Sequence, residues 1–368
     1  MDGKKLPINK ILEGFKRDND KKGKENTHEI EKYGNKLGAG SSGIIYEVKC
    51  KRSNRLLAGK LILNKTERDK ERLEMIQELR GPNIIKIISL LHKTIDNKKY
   101  TMILMEKALL KDLGLFSSTF WKSNLLKIIH NFFDEIVGDN LLRFYSKQIV
   151  DALEFLHRNN FVHFDLKPDN LLLTSNLTIN LCDFSLLTKI PENKNMKIPG
   201  GTPGYLSREY YDKESMSKKD LEKQDYFSLG STLYYLKYGE NMLDYEKYED
   251  PLISKDRITE LLHNKIENIK SSLFNDKDFT KLLLSLIQYD TNERPDFEQI
   301  YRNKWLNRNL DFIKFIMIGN DNDEEKLLME LQKSDFLKMK ELERKEKILT
   351  HKKYVFKIKK EKKNEIVL

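Results

Sequence analysis

Cysteine is nearly missing from this 368-residue chain: Cys50 and Cys182 are the only two. Two thiols supply neither a disulfide framework nor a four-cysteine zinc site, and the expected setting is a reducing intracellular compartment, the cytoplasm first and the nucleus second. Long apolar runs are missing as well. The stretch Leu282 to Leu284, with Leu286 and Ile287 just beyond, is far short of the ~20 residues that a bilayer span needs, so no transmembrane segment is expected. The start, Met1 to Pro7, has no apolar region behind its charges and does not read as a secretory leader. No two histidines stand in an HxxxH pair. Asp321-Asn322-Asp323-Glu324-Glu325 lacks the later glycine and glutamate of a calcium loop, and it reads as acidic residues at a helix N-terminus.

Charge is what the chain has in abundance. Lys and Arg number 67 against 57 Asp and Glu, a formal +10, and 34% of residues are charged against 39% hydrophobic. The apolar share is below the roughly 45 to 50% of average globular chains. At roughly 100 to 200 residues per domain, the length admits two or three units. The excess charge is local. Residues 340–368 hold eleven basic and five acidic side chains, a balance of +6; residues 1–32 contribute +2, which leaves +2 for residues 33–339. A nucleic-acid partner is therefore not expected. The tail segment Lys352 to Lys360 is instead a candidate surface for an acidic partner or a membrane.

Residues 1–32 mix Lys, Asp, Asn and Gly with scattered apolar side chains and read as a mobile arm with a short helix near Ile8 to Phe15. From Tyr33 to Ile62, short β-branched runs cut by glycine predict an antiparallel meander. Residues 66–80, with Leu73, Ile76 and Leu79 on one stripe, predict a helix closed by Gly81-Pro82. Strands are expected at Ile84 to Leu90 and Tyr100 to Met105. An irregular stretch follows around Phe116 to Phe133. Leu142, Tyr145, Ile149, Leu153 and Leu156 predict an amphipathic helix over 141–156. Two short strands, near Asn170 to Leu173 and Ile179 to Cys182, precede further helices, and beyond Trp305 comes a charged helical tail. A small β-rich lobe followed by a larger helical one is an α+β architecture.

Gly38-Ala39-Gly40-Ser41-Ser42-Gly43 fits GxGxxG, but a strand through Ile45 and Val48 follows it where a dinucleotide-binding loop would open a helix. The glycines then sit at a hairpin tip, where the missing Cβ lets backbone amides approach phosphates. Lys60 follows inside a strand. The richest stretch is His163-Phe164-Asp165-Leu166-Lys167-Pro168-Asp169-Asn170, followed by Asp183-Phe184-Ser185. Gly201 to Glu209, Asp225 to Gly230 and Asn292-Glu293-Arg294-Pro295 complete an ordered series.

In these motifs the chain resembles the eukaryotic-type serine/threonine protein kinases. The resemblance covers residues 33–306: a small lobe over 33–105, a hinge at 106–108 and a larger lobe over 109–306; a charged, basic, helical tail over 307–368 follows it. It implies ATP and Mg2+ as cofactors and Ser/Thr-bearing proteins as substrates. Asp165 would accept the proton of the incoming hydroxyl. Lys60 would hold the α- and β-phosphates, and Lys167 would contact the γ-phosphate. Asn170 and Asp183 would bind the metal. The glycine hairpin with Ile45, Ala58, Leu172 and the hinge residues Glu106 and Ala108 would hold the nucleotide. Thr202 would brace the catalytic loop, Glu209 and Arg294 would form a buried ion pair, and Asp225 would be a further structural support.

The chain departs from the family pattern in several places. Phe164 stands where loop-phosphorylated kinases carry arginine, and residues 190–201 contain no Ser, Thr or Tyr. Activity independent of phosphorylation there is expected. Ser185 replaces a glycine, and Arg208 replaces the usual proline. For the helix glutamate paired with Lys60, the spacing leaves Glu71, Arg72 and Glu74 open, with Glu71 favoured. These departures keep a pseudokinase, an ATP-binding or scaffolding module, as the alternative.

Overall fold

The computed structural model describes residues 8–16, 30–40, 43–51, 53–64, 67–108, 110–113, 124–174, 178–191, 194–212, 215–243, 255–271 and 276–308. Ser41, Ser42, much of the N-terminal arm and nearly all of the basic tail lie outside the described residues, as does the side chain of Glu71. The chain divides into two units, residues 1–116 with 141–309 and residues 117–140 with 310–368.

In the first unit, α1 (Ile8–Lys16) precedes a five-stranded antiparallel sheet made of β1 (Ile30–Gly40), β2 (Gly43–Cys50), β3 (Leu56–Asn64), β4 (Ile87–Ile95) and β5 (Lys98–Glu106). The strand order is β1-β2-β3-β5-β4. Asp96 and Asn97 turn the β4–β5 hairpin at φ 48° and 59°, a region their short polar side chains tolerate and a two-residue hairpin loop demands. Strand side chains alternate between faces. One face gathers Val48, Cys50, Leu57, Leu61, Tyr100, Met102 and Leu104, and Ile11, Leu12 and Phe15 of α1 are buried against them. The short helix expected near Ile8 to Phe15 is α1; it is packed on the sheet where a mobile arm was expected, and the sheet itself begins at Ile30. Within the polar average of those 32 residues, two and a half amphipathic turns find an apolar face to cover.

The opposite face carries Ile45, Glu47, Ala58 and Lys60, which stand directly across from one another as Ile45–Lys60 and Glu47–Ala58. Helix α2 (Glu67–Glu78) buries Leu73 and Ile76, as their spacing predicts. After it, Asn83 at φ 56° crosses to the helical lobe: its side chain donates to Gln148 Oε1 and to the Ile179 carbonyl. Backbone bonds Ile85 N–H to Leu181 O and Leu181 N–H to Asn83 O continue the link. Ile84 forms an isolated bridge here, so β4 begins at Ile87 and not at the expected Ile84.

The helical lobe contains β6 (Leu110–Asp112), α3 (Asn124–Arg158), β7 (Phe161–Val162), β8 (Leu171–Leu173), β9 (Ile179–Leu181), β10 (Thr188–Lys189), α4 (Arg208–Asp212), α5 (Lys218–Tyr238), α6 (Lys255–Ser271), α7 (Lys277–Leu286) and α8 (Phe297–Tyr301). In α3 the predicted stripe Leu142, Tyr145, Ile149, Leu153 and Leu156 is buried. The helix starts at Asn124, so the irregular stretch expected around Phe116 to Phe133 is corrected from 124 onward. Residues 124–140, the described part of the second unit, are this helical backbone.

Helix α5 is buried on nearly every side. Ser217 caps its first turn by accepting from the Asp220 N–H, and Gly239 ends it at φ 72°. Gln224 inside it is fully satisfied: its oxygen accepts from Ser207 N–H and Oγ, and its nitrogen donates to Tyr205 O and Ser228 Oγ. A β-rich lobe followed by a mainly helical lobe, the expected α+β arrangement, is the result. Among the described residues no helix is long and apolar enough to cross a membrane.

Candidate active site

The glycine hairpin joins β1 to β2, with Gly38 opposite Ile45 and Gly40 opposite Gly43. Gly43 sits at φ 143°, and a Cβ there would lie 2.4 Å from the Leu61 carbonyl oxygen, so only glycine fits. A Cβ on Gly38 would have open space, its nearest neighbour being 4.0 Å away. Ala39 is exposed on the same hairpin.

On the sheet face away from α1, Lys60 is buried in mid-strand, and its Nζ donates to Asp183 Oδ1 at 2.6 Å. That contact brings the small lobe's lysine to the larger lobe's metal-site candidate. The Glu71 side chain lies outside the described residues, and Glu74 is exposed. Ala58 pairs across to Met105, Glu106 ends β5 opposite Leu57, and Lys107 and Ala108 leave the sheet just beyond. Leu172 is half-buried in β8.

Asp225, fully buried on α5, organises the catalytic loop. Its carboxylate accepts from the backbone N–H groups of His163 and Phe164, both at 2.9 Å, and lies 2.9 Å from His157 Nε2. Phe164 is held at φ 63° with its ring fully buried, and the loop is thereby turned so that Asp165 faces its partners. Asp165 Oδ1 accepts from Thr202 Oγ1 at 2.6 Å, and Oδ2 from Asn170 Nδ2 at 3.0 Å. Lys167 Nζ donates to Thr202 Oγ1 at 2.6 Å and lies 3.4 Å from Asp165 Oδ2. One hydroxyl thus accepts from the lysine while donating to the aspartate. His163 Nε2 sits 3.1 Å from the Cys182 carbonyl, and its ring meets Phe184 edge-on, a packing role and not a ligand's.

Asp183 takes φ 58°, and Ser185 N–H donates to its Oδ1 at 3.3 Å. The left-handed residue of this turn is Asp183, not Ser185, so the serine's Cβ meets no backbone penalty in this conformation. Burial, reinforced by the Asp183 charge, pushes the Cys182 thiol up to about 12, which marks it as a small hydrophobe and not a nucleophile.

The Asn170 amide nitrogen is bonded to Asp165, which turns its oxygen the other way. With the Asp183 carboxylate this offers two hard oxygens. Among the described residues no group of three or more His, Cys, Asp or Glu could hold a metal alone. Two protein oxygens suit a divalent ion whose remaining ligands are phosphate and water.

Below the loop, Arg294 Nη2 donates to both Glu209 oxygens at 2.9 Å, with both side chains buried. Burial alone would raise the Glu209 carboxyl. The Arg294 charge and hydrogen bonds from Ser207, Thr291 and Arg294 outweigh it and hold the group below the usual carboxylate range. Arg208 stacks over the Tyr289 ring at 4.1 Å and lies 2.7 Å from Asp212.

Sequence reasoning missed His157, Gln224 and what Phe164 does. The His157–Asp225 contact spans 68 residues, and no local spacing announces it. Phe164 packs with Val162, Ile190, Ile198, Leu206, Met216 and Leu221, and Leu186, Met196, Tyr210 and Tyr211 lie at the rim. Met196 and Met216 exchange backbone hydrogen bonds across this cluster.

A family model described as protein kinase domain matches residues 32–306. Calcium-dependent protein kinase 5 of Plasmodium berghei is 29% identical over 298 residues, 79% of this chain and 47% of that protein. The Aurora kinase of Eremothecium gossypii is 27% identical over 286 residues, 76% of this chain and 70% of the relative. Serine/threonine-protein kinase TIO of Arabidopsis thaliana is 27% identical over 225 residues, 59% of this chain and 15% of the relative. The chain spans about half the length of the Plasmodium protein.

Proposed function

Because this chain belongs to the protein kinase family, and to its serine/threonine branch, we propose that it transfers the γ-phosphate of ATP to serine or threonine hydroxyls of proteins, with Mg2+ as the metal. The observation that carries the reading is the hydrogen-bonded set of Asp165, Thr202, Lys167 and Asn170. Phosphoryl transfer asks the protein mainly for position and charge stabilisation. A substrate hydroxyl beside Asp165 gives up its proton to that carboxylate as its oxygen bonds to the γ-phosphorus and the bond to the departing ADP breaks. Lys167, oriented by Thr202, stabilises the negative charge on the moving phosphoryl group. Lys60 holds the remaining phosphates from above, exchanging its contact with Asp183 for them. Asn170 and Asp183 hold the ion, which neutralises phosphate charge when bound.

The activation segment stays in place without a phosphate. In kinases switched on the segment, an arginine before the catalytic aspartate receives a phosphate. Here Phe164 fills that position and binds Ile190, Ile198, Leu206 and Met216 by apolar burial. Gly201 approaches so closely that a Cβ on it would lie 2.7 Å from the Phe164 carbonyl oxygen. The alternative, a nucleotide-binding module without transfer, draws its support from Ser185 and from the Lys60–Asp183 ion pair, which occupies two groups that a metal-nucleotide would use.

Transfer from ATP by the full chain and by Asp165→Asn separates the two readings. A loss of about 10²- to 10⁴-fold in the variant, with nucleotide binding kept, is the expected result. Equal transfer by both proteins overturns the assignment, and binding without transfer in the parent supports the alternative.

A further inference from the structure

One ion pair lies outside everything assigned so far. Lys107, between the two hinge residues Glu106 and Ala108, places Nζ 2.5 Å from Glu47 Oε2, and both side chains are about three-quarters buried, at 24% and 20% exposure. Glu47 sits on β2 directly across from Ala58 and two residues beyond Ile45, on the face that also carries Lys60. Lys60 reaches Asp183, so this face looks toward the helical lobe. The pair therefore connects the strand that runs out to the glycine hairpin with the hinge.

The neighbouring strand is shaped around the Glu47 carboxylate. β1 loses its regular register between Tyr33 and Lys36, and Gly34 lies in that irregularity. A Cβ on Gly34 would lie 2.5 Å from Glu47 Oε1 and 3.2 Å from its carboxyl carbon. A glycine, a bulge and a lysine converge on one carboxylate, which fixes the side chain toward the hinge.

The geometry points to an ionic latch across the mouth of the nucleotide cleft: Glu47 and Lys107 hold the glycine hairpin down against the hinge and slow the exchange of a bound nucleoside triphosphate. This rests on the kinase reading for what occupies the cleft. Both are positioning residues. Their charges close the outer edge of the site beside the hinge residues Glu106 and Ala108. A pair buried to this extent is screened by salt less than an exposed one, so the latch persists at physiological ionic strength.

The test uses Glu47→Gln, Lys107→Met and the charge-swapped double variant Glu47→Lys/Lys107→Glu in the full chain. Two readouts are taken: amide hydrogen exchange over residues 36–46 without nucleotide, and the dissociation rate of a fluorescent ATP analogue. Each single variant is expected to raise both about fivefold, the scale of one partly buried ion pair, and the swap to return both toward the parent. Hairpin exchange unchanged in the single variants, or a swap as fast as either of them, overturns the latch. A parent protein that fails to bind the analogue contradicts the kinase reading, and the exchange measurement still decides the latch.

Discussion

Phe164 bears two costs at once: a left-handed backbone angle, about 1 to 2 kcal/mol for a residue with a Cβ, and the loss of a charge that its position often carries. Asp225 offsets the first with hydrogen bonds to the N–H groups of Phe164 and His163. The ring offsets the second by filling the centre of an apolar cluster that spans the catalytic loop, the activation segment and the start of α5. Phe164→Ala keeps the strained angle and loses the ring, so a drop of about 3 to 5 kcal/mol in unfolding free energy is expected from urea titration. Protease cleavage within residues 190–201 should also accelerate. A stability within about 1 kcal/mol of the parent would mean that the cluster does not hold the segment. The sequence showed that an arginine and its phosphate are both missing. It could not show what replaces them, because the cluster's members lie scattered from Val162 to Leu221.

At the scale of elements, the short helix α4 is fastened to the rest of the helical lobe by Glu209 and Arg294. Burying one ion without the other is severe, about 3 to 5 kcal/mol, so Glu209→Gln should destabilise the protein strongly at neutral pH. The dependence on pH has a definite sign. The folded-state pKa of Glu209 lies below its unfolded value of about 4.3, so its contribution is full above that value and disappears as pH falls through the folded one. The gap in urea stability between parent and Glu209→Gln is expected to be constant from pH 7 to about 5 and to narrow in stronger acid. A gap that stays the same down to pH 3 would contradict the pairing. This bond was legible in the sequence only through the family motifs, since 85 residues separate its ends. Local periodicity did better with α2 and the second half of α3, where one stripe faces one core. It also placed α1 near Ile8 to Phe15, and it missed the first part of α3, which begins at Asn124 inside the stretch expected to be irregular.

The whole molecule divides its work in a way the composition conceals. The +10 belongs largely to the terminal segments, whereas residues 33–339 are close to neutral. Within the first unit, the five-stranded sheet presents an apolar face to α1 and a functional face to the helical lobe, and Lys60–Asp183 joins the two lobes across the site. The order of the motifs made the β-rich lobe followed by a helical one readable from the sequence, because each motif is a short run with its own backbone requirement. The Lys60–Asp183 contact, the Glu47–Lys107 pair and the Asp225–His157 contact were not readable. They depend on how distant elements dock, which no window of sequence contains. The central claim is transfer to serine and threonine without phosphate on the activation segment. Its most direct test is transfer from ATP to a peptide library with Ser, Thr or Tyr acceptors, by protein treated with phosphatase and checked by mass spectrometry to carry no phosphate. The prediction is undiminished labelling of serine and threonine peptides after that treatment. Absence of labelling before treatment, or its loss with the removal of phosphate from a hydroxyl between Asp183 and Glu209, would contradict the account.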